Sequence, residues 1–276
     1  MEMGVSPTEI KDQITMRVKL TVAYDGTNYH GYQSQTNGVA VQDVLEDTIE
    51  HLFRERIRTM GASRTDTGVH ALGNVACFDV ESRIDPTKIA FALNARLPED
   101  IRIMDSCRVP DSFHPRFQDT VKTYEYHVIN RKFPDPLTRN TEMHYYYPLD
   151  ADRMNAAARM LVGEHDFASF AASGYSSNTT VRTIYDACVT RTGDRVTFRI
   201  TGNGFLYNMV RIIAGTLLEI GGGKYPPEHM REVLEAKSRS AAGPTAIAKG
   251  LVLCEVRYPE YEDKAACLTN NSSSEL

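Results

Sequence analysis

Val41, Val44, Leu45, Ile49, Leu52 and Phe53 recur three and four residues apart, which places them on one face of a helix that can lie on a sheet. A second stripe, Leu206, Met209, Val210, Ile213, Leu217 and Ile220, predicts a helix over residues 205–220. Between and around these helices the pattern shortens to that of strands. Residues 18–24, 57–59, 74–80 and 101–109 read as strands of a first half, with a helix over residues 86–97 that opens on Pro86. Residues 121–129, 182–191, 195–201 and 251–258 read as strands of a second half, with helices over residues 151–162 and 227–237.

Each half runs β-α-β-β-α-β, the order of a ferredoxin-like unit, so the expected class is α+β, with two such halves whose antiparallel sheets flank a central cleft. A chain of 276 residues with 42% apolar positions can bury one large or two modest cores. The expected division is a flexible segment 1–15, a first half 16–118, a second half 119–258 and a disordered tail 259–276 that ends in Asn, Ser, Glu and Leu.

Composition narrows the function classes. No run of eighteen apolar residues occurs and the first thirteen residues are too polar for a secretory signal, so a cytoplasmic protein with no membrane partner is expected. Cys77, Cys107, Cys188, Cys254 and Cys267 are odd in number and form no C-x-x-C pair, which argues against a disulfide framework and against zinc. The net charge of −5 does not by itself point to nucleic acid. Residues 1–12 carry −2 and residues 259–276 carry −3, which leaves the body neutral and free to present a local basic cleft.

The densest chemistry lies in residues 61–71, where a Gly-bounded turn holds Arg64, Asp66 and His70. Taken alone, such a turn is most simply one whose Asp bonds its own backbone. No Gly-Lys-Ser/Thr follows, so it is not a nucleotide P-loop, and His70 has no Cys or second His nearby to share a metal. Arg211 beside its apolar stripe reads alone as an arginine whose stem covers the core edge. Tyr124, which alternates with Glu125, reads alone as a half-buried packing tyrosine.

Together these segments carry more. Tyr24-Asp25-Gly26, Gly31-Tyr32-Gln33, the turn from Ser63 to His70, and Asn203 through Phe205 to Met209-Val210-Arg211 resemble the motifs of the tRNA pseudouridine synthase A family, in order and spacing from about residue 18 to 258. Ser63, Thr67 and Tyr32 stand where the family has Gly, Ala and Trp.

The resemblance implies the pseudouridine synthase fold, isomerisation of uridine in the anticodon stem-loop of tRNA (positions 38, 39 or 40), a homodimer, and no cofactor. It implies Asp66 as the catalytic carboxylate, Arg211 as its ion partner and Tyr124 as the ring that stacks on the flipped uracil. It also implies Arg64 as the side chain that enters the vacated stack and Leu251 as the apolar wall of the pocket. Arg54, Arg56, Arg58, Arg116 and Lys122 are candidates for backbone phosphates, and can equally be solvated surface charges. Two rivals stay open. A non-catalytic RNA-binding protein of two RRM-like halves shares the element order, but neither half shows an RNP1 aromatic string. The other is a nucleoside hydrolase or base deaminase: deamination would need H-x-E with P-C-x-x-C, which is absent, and free-nucleoside chemistry would not call for so large a two-half platform.

Overall fold

The computed structural model describes residues 14–172 and 179–261. The five helices are α1 (Val41–Phe53), α2 (Ile89–Asn94), α3 (Ala151–Arg159), α4 (Met209–Gly221) and α5 (His229–Ala236). The first four strands are β1 (Ile14–Tyr24), β2 (Met60–Gly61), β3 (His70–Ser82) and β4 (Ile101–Val109). They are followed by β5 (Val121–Asn130), β6 (Met143–Tyr145), β7 (Gly163–Asp166), β8 (Val181–Thr192), β9 (Arg195–Gly202) and β10 (Leu251–Arg257).

All ten strands join one sheet along the path β4-β1-β3-β10-β5-β9-β8-β7, with β2 on β3 and β6 on β5. Each half has the ferredoxin-like strand order: β4-β1-β3-β2 in the first, β10-β5-β9-β8 in the second. Within each half these pairings are antiparallel. The halves meet where Val252 and Leu253 pair in parallel with His70 and Ala71. Near the middle of β3, Cys77 and Ala76 pair instead with β2. The chain between β2 and β3 therefore leaves the sheet and re-enters it at the seam, which is where the two halves can share a site.

Val41, Leu45 and Ile49 of α1 are fully buried, as the stripe requires. The segment 57–59 is not a strand. Glu46 of α1, itself buried, accepts Thr59 N (2.9 Å) and Thr59 Oγ1 (3.1 Å), and Gln42 Nε2 donates to Thr59 O (2.9 Å). Helix side chains thus satisfy the backbone groups that a ladder would use, and pairing begins only at Met60.

The second stripe also starts later than its apolar spacing indicates. Asn208 is left-handed (φ 59°), so α4 begins at Met209 and residues 205–208 form a loop. The helix expected over 86–97 is a 3-10 turn at Pro86–Lys88 followed by the six-residue α2. Strands β6 and β7 carry too few residues for a period to be read.

Among the described residues no helix is long and apolar enough to cross a membrane. Cys77, Cys107, Cys188 and Cys254 are free thiols, and Cys267 lies outside the described residues. The expected flexible start and disordered tail also fall mostly outside them. Where they overlap, β1 takes in residues 14 and 15, and residues 259–261 form a helical turn with Tyr261 edge-on to Phe113 at 5.2 Å.

Gly215 gives a test of how α4 is seated. Glycine inside a helix is normally weaker than alanine by about 0.5–1 kcal/mol, so propensity alone favours Gly215→Ala. A Cβ there would lie 1.8 Å from the Pro244 carbonyl oxygen, a backbone atom that cannot rotate aside. We expect Gly215→Ala to destabilise by about 1–3 kcal/mol in chemical unfolding; a stabilised variant would show that this approach is not as close as described.

Candidate active site

The turn of residues 62–69 is held from three directions. Thr65 Oγ1 and Tyr24 Oη share a 2.7 Å hydrogen bond, Tyr32 N donates to Thr65 O (3.2 Å), and the buried Asn74 donates to Ser63 O (3.1 Å). Val69 N closes the turn on Asp66 O (3.1 Å), and Gly68 takes the left-handed conformation this requires (φ 75°). His70 accepts Gly26 N–H at Nδ1 (3.0 Å) and reaches Asn140 O with Nε2 (2.9 Å). Both ring nitrogens are committed to the fold. Among the described residues no group of three His, Cys, Asp or Glu side chains could hold a metal.

The rigid turn presents Asp66 to the other half. Arg211 Nη1, from the first turn of α4, donates to Asp66 Oδ2 at 3.0 Å. The guanidinium is itself fixed: Nη1 also donates to Asn208 Oδ1 (2.7 Å) and Nε to Ala246 O (2.8 Å). Both side chains of the pair are less than one-fifth exposed. Burial pushes the Asp66 carboxyl above the usual carboxylate range, while the hydrogen bond and charge of Arg211 pull it back without fully offsetting the burial. Arg211 therefore limits a rise rather than imposing a low value.

Tyr124 stands on β5 between Leu253 and Ile200, nearly buried, with its ring edge-on to Phe205 at 5.1 Å. Burial and the nearby Asp66 charge raise its phenol, and Ser63 opposes them. Leu251, the first residue of β10, completes the apolar side.

These residues surround a cavity of about 700 Å³, within the range of natural ligand pockets. Among the described residues its lining holds one acid, Asp66, and four cations, Arg64, Arg116, Lys122 and Arg182. Lys122 Nζ donates to Ala62 O (2.9 Å), and burial with the neighbouring Arg116 depresses its ammonium to about 8. Burial and Arg116 likewise lower Arg64. A chain with a net charge of −5 thus concentrates positive charge around a single carboxylate, the field a polyanion would meet.

The structure brings Asp66, Arg211, Tyr124, Arg64 and Leu251 together, with Arg116 and Lys122. It does not bring Arg58, which is exposed and donates to Glu46 at 2.7 Å away from the cavity lining. Arg56 is paired with Glu50 and Arg54 ends α1.

Two contributors escape a linear reading. Asn208 is signalled only by the tolerance of Asn for left-handed backbone at a helix start, and nothing local marks Arg182, which β8 delivers from a distance.

The sequence model of the tRNA pseudouridine synthase family matches residues 20–118 and 157–259. The chain is 46% identical over 241 residues to tRNA pseudouridine synthase A of Thermoanaerobacter sp. (strain X514), covering 87% of this chain and 99% of that one. It is 46% identical over 245 residues to tRNA pseudouridine synthase A of Bacillus subtilis (strain 168), covering 88% and 99%. The archaeal box H/ACA sRNP Nop10-Cbf5 crystal structure aligns over 82% of this chain and 60% of that one, at 11% identity and a TM-score of 0.31, too remote to carry weight. A family match over residues 20–118 and 157–259, with identity this high over most of both chains, makes the chain a member of the tRNA pseudouridine synthase family, and an isomerase.

Proposed function

We propose that this chain converts uridine to pseudouridine in the anticodon stem-loop of tRNA, at one or more of positions 38, 39 and 40, with Asp66 as the reacting carboxylate. The observation that carries the reading is the placement of Asp66, the one acid among the described residues that line a cationic cavity, against Arg211, the two supplied by different halves of the chain.

The reaction detaches uracil from the ribose, turns it, and rejoins it through carbon. Nothing is oxidised and no atom is gained or lost, so the chemistry calls for no added metal or nucleotide. It does need an ionised carboxylate at the sugar or base, to attack carbon or to take a ribose proton. Arg211 favours the ionised form of Asp66 against the effect of burial.

The target base must first leave its stack, which costs a few kcal/mol. Arg64 stands at the cavity to enter the space left behind, and Tyr124 offers a ring face to the extruded base and a phenol that can relay the proton lost from carbon. Arg116, Lys122 and Arg182 face the phosphates. The working unit in this reading is a homodimer in the cytoplasm, whose second copy widens the cationic surface open to one tRNA.

Incubation with an unmodified tRNA transcript, without added metal or nucleotide, should convert uridine to pseudouridine at positions 38–40, read by mapping the modified sites. Tight binding with no uridine lost would favour the non-catalytic RNA-binding alternative. Conversion elsewhere in the tRNA would keep the chemistry and overturn the site.

A further inference from the structure

The loop between β4 and β5 is anchored more firmly than a surface connection needs. Arg17 Nη1 donates to Asp111 O and Phe113 O (2.5 and 2.8 Å), and Tyr258 Oη donates to Pro115 O (2.8 Å). Phe113 is fully buried, edge-on to Tyr258 at 5.0 Å. On this fixed base Phe117 is left 79% exposed, stacked on His114 with ring centroids 4.2 Å apart and planes 27° apart. Arg116 N donates to His114 Nδ1 (3.1 Å), which sets the imidazole's orientation. Burial and the charges of Arg17 and Arg116 lower the His114 pKa, so the ring is neutral at neutral pH.

A single exposed phenylalanine calls for no explanation. This one differs in its surroundings. Both rings line a second cavity of about 230 Å³ that shares Ser63, Arg64 and Arg116 with the first. The two cavities are therefore neighbours with two arginines between them, and the second offers an aromatic face in place of a carboxylate.

Building on the reading of the site as one that acts on tRNA, we propose that the His114–Phe117 face is a second base-binding subsite: it takes the nucleobase next in the RNA strand to the uridine in the first cavity, with Arg64 and Arg116 on the phosphate between them. Every base has a flat π face, so such a subsite accepts any sequence. It would pull the neighbouring nucleotide out of the helical stack and so help free the target uridine.

The test is a double-mutant cycle with a synthetic anticodon stem-loop RNA, intact or abasic at the nucleotide 5′ or 3′ of the target uridine, and affinity read by fluorescence anisotropy. Phe117→Ala should bind the intact RNA about 5- to 100-fold more weakly. Removing the base on one side should weaken binding to the parent protein by a similar factor and add nothing to the variant's loss. Phe117→Tyr, which keeps the ring, should bind like the parent, and melting curves confirm that both variants fold.

Unchanged affinity of Phe117→Ala, or losses from variant and abasic RNA that simply multiply, would overturn the subsite. Pseudouridine formation by the parent on the intact RNA is followed in parallel. Its absence alongside non-additive losses would sink the proposed reaction and leave the subsite standing.

Discussion

Asp66→Asn should lower pseudouridine formation by about a thousandfold or more while leaving tRNA affinity nearly unchanged. The substitution keeps size and most hydrogen-bonding capacity, and removes only the charge that attacks carbon or takes a proton. Arg211 retains Asn208 Oδ1, Ala246 O and an amide oxygen to face, and the phosphate-facing cations do not touch residue 66.

Stability gives a further readout. The folded carboxyl lies above its unfolded value, so its contribution is fully present below the unfolded pKa and is lost as pH climbs through the folded one. At neutral pH the ionised group thus costs stability, and Asp66→Asn should melt no lower than the parent. Near-normal turnover would remove Asp66 from the chemistry. A large drop in melting temperature together with lost tRNA binding would make it a structural turn residue.

Arg211→Ala should fail differently. Arg211 supplies both contributions that pull the Asp66 carboxyl down, and its loss leaves burial unopposed. The active form is the ionised one, so activity in the parent should rise with pH through a midpoint above the ordinary Asp range. In the variant that midpoint should move higher still. Below it, activity falls about tenfold for each unit of the rise, and the deficit should shrink as pH increases. A deficit that is the same at every pH would mean that Arg211 acts on substrate binding or on the seating of α4 rather than on ionisation. Arg211→Lys, which restores a charge without the fork that also reaches Asn208 and Ala246, should recover only part of the activity.

Much of the fold is legible along the chain because its elements bury one face against a common core. The stripe from Val41 to Phe53 and the strands over 101–109 and 121–130 are found close to where their periods place them. The reading fails where a partner remote in sequence takes over backbone groups or bends the chain. Residues 57–59 look like a strand until Glu46 and Gln42 are seen to hold Thr59. The apolar stripe runs back to Leu206, yet Asn208 turns the chain before α4 can form.

Local spacing within the chain determined the ferredoxin-like order of each half and singled out the turn that holds Asp66, because propensity, hydrophobic period and motif act over a few residues. Only the tertiary structure decided which charges share a space. Arg58 and Arg116 are equivalent as letters, but the buried carboxylate of Glu46 holds the first away from the cavity while the anchored loop after β4 delivers the second to it. Whether Asp66 sits above or below the ordinary carboxylate range was likewise decided in three dimensions. Desolvation and the approach of Arg211 depend on how two halves, 145 residues apart at that contact, close on each other, and no local pattern encodes that distance.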